Sequence, residues 1–271
     1  MTDAKSLTHL QRLEAESIHI MREVVAEAEK PVMLYSVGKD SSVLVHLARK
    51  AFAPAKLPFP LLHVDTGFKF PEMYEFQKKF TAEWDIKLIV EECPPIEEID
   101  PTLPPASRSA ARKTEALKRL IKKKNFQSVI AGIRRDEEGT RAKERVFSPR
   151  GTDAEWDFKQ QPPEFWDQYK TDFPAGTHIR VHPILAWTEL DIWRYIQREH
   201  IPVVPLYFSN KGKRYRSLGD HDITFPVSSS ASNVDEIISE LESTKIAERS
   251  GRAMDHEGEN AFERLRTDGY M

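Results

Sequence analysis

Val32-Met33-Leu34-Tyr35-Ser36-Val37-Gly38-Lys39-Asp40-Ser41-Ser42-Val43-Leu44-Val45-His46-Leu47-Ala48 is the stretch whose reading decides the fold. Residues 32–35 form a short apolar run, as a buried strand requires, and 43–48 resume in a helical pattern. Between them 36–42 is polar and turn-like. A strand that passes into a helix through such a turn leaves free backbone N–H groups at the junction. The positive end of the helix macrodipole lies there too, so the turn suits an anion, above all a phosphate. Ser36, Ser41 and Ser42 add hydroxyl donors, Gly38 lets the backbone approach a ligand, and Lys39 adds a charge. Asp40 either holds a metal ion or shapes the turn. This is not a Walker A loop, because Met33 stands five residues before Gly38 and Asp40 follows Lys39. The alternative reading is an ordinary polar strand-to-helix turn.

Outward from this stretch, strands and helices alternate. Residues 6–30 repeat Leu7, Leu10, Leu13, Ile18, Met21, Val24 and Val25 at roughly helical spacing, and Pro31 ends the helix. Downstream, strands are predicted at 61–64, 86–90, 128–133 and 178–183. Helices are predicted after Pro71 (apolar face Met73, Phe76, Phe80, Trp84), over 114–125, after a capping box at Thr188 and Asp191, and over 234–249. Residues 93–109 are Pro-rich and read as a loop. Residues 134–177 show no convincing period. Their length and charge mark them as functional or mobile. The pattern predicts an α/β fold: a doubly wound, mostly parallel sheet with helices on both faces, an irregular loop region and a C-terminal helical extension. Residues 1–200 are expected to form the nucleotide-binding domain. Residues 201–271, a basic turn and helical extension, are expected to pack on it. Ligands of such sheets sit at the carboxyl ends of the strands. Ser36–Ser42, Asp65–Gly67, Arg134–Glu137 and His182 all fall at such ends.

Bulk properties exclude several classes. A net charge of −3 says nothing about a polyanionic partner, so any nucleotide or nucleic-acid site must come from local clusters; no nucleic-acid partner is expected. No apolar stretch approaches the ~20 residues that cross a bilayer, and residues 1–10 have no apolar signal segment; a cytoplasmic, membrane-free protein is expected. Cys93 is the lone cysteine, which excludes an internal disulfide and any Cys-x-x-Cys site. His178 and His182 share a strand face without a third ligand and read as structural. So do Cys93 and the Lys122-Lys123-Lys124 run, the latter as a solvated helix face. Trp156 and Trp166 read as core or partner surface.

Ser36-Val37-Gly38-Lys39-Asp40-Ser41 resembles the Ser-Gly-Gly-x-Asp-Ser pyrophosphate loop of the ATP pyrophosphatases, with Val37 in place of the first Gly. Further segments resemble the small catalytic subunit of the heterodimeric bacterial sulfate adenylyltransferase. They are Leu13–Ile20, Pro60–Lys69, Arg134–Glu138 with Arg141–Arg145, Trp187–Glu189 with Asp191–Trp193, and Arg214–Gly219. The resemblance runs from about Leu10 to Tyr270. It departs at Asp220, where members often carry a cysteine, and in a shorter segment between Pro205 and Arg214.

The resemblance implies an adenine nucleotide alpha-hydrolase-like fold and the reaction of ATP, with Mg²⁺, and sulfate to adenylyl sulfate and pyrophosphate. No tightly bound organic cofactor or structural metal is implied. Sulfate arrives charged, so no general base is needed, and catalysis rests on positioning and charge neutralisation. The resemblance assigns ATP and pyrophosphate to Ser36, Gly38, Lys39, Asp40, Ser41, Ser42, Asp65, Thr66 and Gly67. It assigns sulfate and phosphate to Arg134, Arg135, Arg141, Lys143, Arg145, Arg214 and Arg216. Lys39, Arg134 and Arg135 are the expected catalytic residues. For Asp65 a helix cap is the alternative, and for the arginines a solvated charged loop. The mixed anhydride is strongly uphill from ATP, and this chain has no GTPase motif; the resemblance implies a separate large GTPase subunit as partner. A reductase of the same fold needs a cysteine near the C-terminus, and a tRNA-thiolating relative needs paired cysteines. The cysteine count argues against both. A non-catalytic subunit that scaffolds or regulates the GTPase is the remaining alternative.

Overall fold

Alternation within Val32–Tyr35 sets the layers of the molecule. In the computed structural model, Val32 and Leu34 face one hydrophobic cluster, with Leu62, Leu117, Leu120, Phe126 and Val129. Met33 and Tyr35 face the other, with Val43, Leu44, Leu47, Ile130 and Val181. A strand buried on both faces needs helices on both. The structure describes residues 6–139, 141–151, 155–159, 161–165, 168–171, 177–245 and 248.

Helix α1 (His9–Glu27) opens on a capping box in which Thr8 and Gln11 exchange hydrogen bonds, and β1 (Pro31–Leu34) follows. Then come α2 (Lys39–Phe52), β2 (Leu61–Asp65), α3 (Pro71–Glu83) and β3 (Leu88–Glu92). Helix α4 (Pro105–Lys124) starts earlier than the sequence predicts, because Pro105 sits at its first position, where a missing N–H costs nothing. Strand β4 is Ser128–Ile130, β5 Phe147–Arg150 and β6 His178–Val181. Helix α5 (Glu189–Glu199) carries the expected Thr188–Asp191 capping box. A two-residue ladder of β7 (Lys213–Arg214) and β8 (Val227–Ser228) precedes α6 (Val234–Ser243). Helix α6 ends at Ser243, short of the predicted 249; residues 246–247 and 249–271 lie outside the described residues.

Among the described residues the main sheet runs β3-β2-β1-β4-β6-β5. All neighbours are parallel except β5, which pairs antiparallel with β6. The aperiodic 134–177 segment therefore supplies an edge strand, which its Pro149 and Arg150 concealed. Chain order runs from β1 outward through β2 to β3, then returns to place β4 on the other side of β1. That reversal opens a crevice at the carboxyl ends of β1 and β4. Leu218, Ala231 and Ile237 join the same cluster as Tyr35 and Val43, so the chain from 218 to 237 packs on the sheet layer.

Candidate functional site

The crevice holds a cavity of about 190 Å³. Ser36, Gly38, Lys39, Asp40 and Ser41 line one side, and Gly132, Glu137 and Arg141 face them from beyond β4. Leu34, Leu62, Val64, Ala131 and Ile133 supply apolar wall. Strand β1 and helix α2 thus present the turn as its sequence predicts. Helix α2 starts with Gly38 as its cap residue and no side-chain cap, so no capping side chain occupies its first amides. Val37 has φ 67° and is buried. It holds a left-handed backbone where the resembling loop has Gly. A Cβ on Gly132 would lie 3.4 Å from the Asp40 carbonyl carbon and 3.5 Å from Ser41 N. Gly132 therefore lets β4 approach the first turn of α2 closely.

Charge is paired inside the turn. Lys39 is 1% exposed; it forms ion pairs with Glu248 and, at 3.3 Å, with Asp40. Its backbone N–H donates to the Tyr207 hydroxyl at 2.8 Å. Arg134 is fully buried and its guanidinium meets Asp40, Asp136 (2.9 Å) and Glu248. Burial raises the Glu248 carboxyl, but Arg134 and Lys39 overcome that and hold it well below the carboxylate range. Tyr207 and Glu248 were not legible in the sequence, since neither lies near the turn along the chain.

Other expected site residues are placed differently. Ser42 is buried, and its amide closes the first helical bond of α2 to Gly38 O at 3.0 Å. Asp65 Oδ1 accepts from Gly67 N (2.9 Å) and the Tyr74 hydroxyl (2.7 Å), and Gly67 has φ 77°, so Asp65 shapes its own turn. It does not cap α3, whose cap residue is Phe70. The Thr66 hydroxyl donates to Asp220 at 2.8 Å. Arg135 is exposed, and its amide donates to Leu185 O at 3.0 Å. Arg141 pairs with Glu137 and Glu138, and Lys143 lies 4.5 Å over the Phe158 ring. Arg145 is half-buried, and its carbonyl meets His182 Nδ1 at 2.8 Å. Arg214 is buried against Glu240 at 2.6 Å, and Arg216 against Glu189 at 2.6 Å. Of the seven cations expected at sulfate and phosphate, Arg141 is the one whose side of the cavity wall is described. Arg214 and Arg216 instead tie the basic turn to α6 and α5.

The remaining titratable residues fit structural roles. Burial pushes the Cys93 thiol up to about 11, so it stays protonated. Burial, then Arg180 and Arg150, lower His178 to about 3, so it stays neutral. Trp156 is buried with Arg150 5.1 Å over its ring, whereas Trp166 lies outside the described residues.

The phosphoadenosine phosphosulfate reductase domain model matches residues 30–226, which span the main sheet and the cavity lining except Glu248. Sulfate adenylyltransferase subunit 2 of Sulfurimonas denitrificans is 46% identical over all of this chain and all of that protein. The same-named protein of Colwellia psychrerythraea is 45% identical over 98% of this chain and 100% of its own. The chain belongs to the sulfate adenylyltransferase subunit 2 family. It is thereby a member of a nucleotidyltransferase family within the wider reductase-like fold. Solved structures agree on the fold. Candida glabrata FMN adenylyltransferase matches at TM-score 0.56 and 17% identity, covering 83% of this chain and 67% of that one. Phosphoadenylyl-sulfate reductase from Candida auris, a phosphate complex, matches at TM-score 0.52 and 17% identity, covering 80% and 97%.

Proposed function

We propose that this chain catalyses the reaction its family name describes: ATP plus sulfate gives adenylyl sulfate and pyrophosphate, as the entry into sulfate assimilation. The observation that carries the reading is the cavity at the β1/β4 switch point, where the Ser36–Ser41 turn faces Gly132 and Arg141. Pyrophosphate and the β,γ-phosphates would lie on the α2 amides, Lys39 and the Ser36 and Ser41 hydroxyls. The base would lie on the apolar wall of Leu34, Leu62 and Val64. A sulfate oxygen attacks the α-phosphorus as the bond to pyrophosphate breaks. No proton moves, so no base is required, and the cations and hydroxyls in the cavity wall supply the charge neutralisation the step needs.

Lys39 acts at the phosphates, and Ser42 acts through the helix start it closes. Arg134 holds Asp40 and hence the turn, Arg141 faces the transferred group, and the exposed Arg135 reaches ligand only on closure. Asp65, Thr66 and Gly67 shape the wall beneath. Oxygen donors of Asp40, Glu137 and Glu248 lie within 4.8 Å of one another, a set that suits Mg²⁺ accompanying ATP. When bound, the ion would neutralise phosphate charge. A separate GTPase subunit would drive the uphill equilibrium, with the irregular 134–177 region as its docking surface, and the complex would work in the cytoplasm. Among the described residues no helix is long and apolar enough to cross a membrane.

The test is pyrophosphate release from ATP as a function of sulfate, by the chain alone and with its GTPase partner and GTP. Release that requires sulfate and rises with GTP is expected. ATP binding without sulfate-dependent release in either condition would refute the catalytic reading in favour of a scaffold.

A further inference from the structure

The cavity has a second charged wall, remote in sequence from the phosphate turn. Lys69, on the turn after β2, and Lys113, on α4, both line it. Both reach Asp220, on the segment after the basic turn: Lys69 Nζ lies 2.6 Å from Oδ1 and Lys113 Nζ 2.8 Å from Oδ2. The Thr66 hydroxyl also donates to Oδ1, at 2.8 Å, and the Ser109 hydroxyl to Oδ2. Asp220 is 1% exposed. Burial raises its carboxyl, but Lys113 and Lys69 more than reverse this and keep it ionised. Two ammonium groups thus converge on one carboxylate.

Elsewhere on the cavity wall the balance is opposite. Lys39 meets the carboxylates of Asp40 and Glu248, and Arg141 those of Glu137 and Glu138. Positive potential is therefore concentrated at Lys69 and Lys113. An ammonium has three N–H donors, so a lysine held by one carboxylate oxygen can also donate to an anion. Flexible lysine stems lose rotamer entropy when they bind a ligand. Here Asp220 holds both stems before any ligand arrives, which lowers that cost. The apolar wall of Leu34, Leu62 and Val64 lies in the same cavity. A nucleotide seated by its phosphates on the turn and its base on that wall leaves the lysine wall for a second anion.

We propose that Lys69 and Lys113, positioned by Asp220, form the subsite for the acceptor oxyanion, a tetrahedral dianion that is sulfate in the reaction proposed above. Two ammonium groups on one side of the cavity suit such an anion better than Arg134, which is enclosed by its carboxylates. The lysines bind the acceptor; Asp220 is a positioning residue. This assignment rests on the proposed reaction.

The experiment is initial-rate pyrophosphate release by the two-subunit complex with GTP, with sulfate and ATP varied separately. Lys113→Ala and Lys69→Ala are expected to raise the sulfate KM about 10- to 100-fold, one charged hydrogen bond's worth, at unchanged ATP KM. Asp220→Asn keeps one acceptor oxygen, removes the other and removes the opposing charge; its sulfate KM is expected to fall. A purely structural triad would make all three variants lose ATP binding and folded stability together, with no opposite sign. An active wild type whose sulfate KM is unmoved in Lys113→Ala, or a rise confined to the ATP KM, overturns the subsite and leaves the reaction standing. A wild type without sulfate-dependent release overturns both.

Discussion

Arg134 is predicted to act through stability before it acts through chemistry. It is fully buried, and its guanidinium joins Asp40 on the first turn of α2, Asp136 on the loop after β4, and Glu248. Arg134→Met keeps most of the volume and removes the charge. Three carboxylates then lose their shared partner, and among the described residues Glu248 retains Lys39 as its one cation. Removing one member of a buried ion pair costs about 3–5 kcal/mol, a large part of a total stability of about 5–15 kcal/mol. In a domain of this size that loss corresponds to a fall in Tm of roughly 10 °C. Arg134→Lys keeps the charge but not the planar fork, and is expected to cost about 1.5–3 kcal/mol. Urea unfolding at pH 7.5 measures both. The Met variant's deficit should shrink as pH falls through the carboxylate range, because the orphaned carboxylates take up protons. A loss below about 1 kcal/mol in Arg134→Met, together with a raised sulfate KM, would refute this reasoning. It would return Arg134 to the substrate-facing role its sequence position implies.

Other outcomes follow from the same geometry. Glu248→Gln removes the carboxylate that competes with phosphate for Lys39; binding of ATP without Mg²⁺, measured by calorimetry, should tighten about tenfold, and unchanged affinity would show that phosphate does not reach Lys39. Val37 is β-branched at φ 67°. Glycine relieves that backbone and alanine does not, so Val37→Gly should be more stable to urea than Val37→Ala by about 1 kcal/mol, the reverse of the usual order. His178 has its pKa lowered from 6.5 to about 3, by burial first and then by Arg180 and Arg150. Its contribution is fully present above pH 6.5 and is lost as pH falls, because the unfolded chain takes up a proton that the folded one refuses. Between pH 6.5 and 5 this residue should remove about 2 kcal/mol, and His178→Gln should flatten the stability profile over that interval. Parallel profiles for the two proteins would contradict it.

What the sequence made legible was what depends on neighbours along the chain. The Val32–Tyr35 apolar run, the turn after it and the Thr188 capping box are local patterns, and each has the structure its pattern implies. The start of α4 was concealed because Pro104 and Pro105 read as loop, although proline suits a first helical turn. Strand β5 was hidden because an edge strand tolerates proline and charge. At the site, the sequence pointed to the phosphate turn but not to the pairing of its charges. Arginines at a strand's carboxyl end look alike in sequence, whether they face a ligand or a buried carboxylate. Glu248 and Asp220, which decide between those fates, lie 114 residues from Arg134 and 151 from Lys69.

That pairing bears on how a site for two anions stays folded when empty. Lys39, Arg134, Lys69 and Lys113 are all held close to protein carboxylates. Unpaired, such a cluster would repel itself in a medium of low dielectric. Paired, it is stable, but each substrate oxygen must then replace or share a carboxylate. Glu248 can be replaced, because it comes from the chain beyond α6 and its partners among the described residues are Lys39, which the ligand also wants, and Arg134, which Asp40 and Asp136 still hold. Asp220 can only be shared, because Thr66 and Ser109 also hold it. The phosphate end should therefore exchange carboxylate for ligand, and the lysine end should keep its carboxylate and add one. On this reasoning Glu248→Gln strengthens ATP binding by removing a competitor, whereas Asp220→Asn strengthens sulfate binding by removing a repulsion. Only the second gain should survive saturation with ATP.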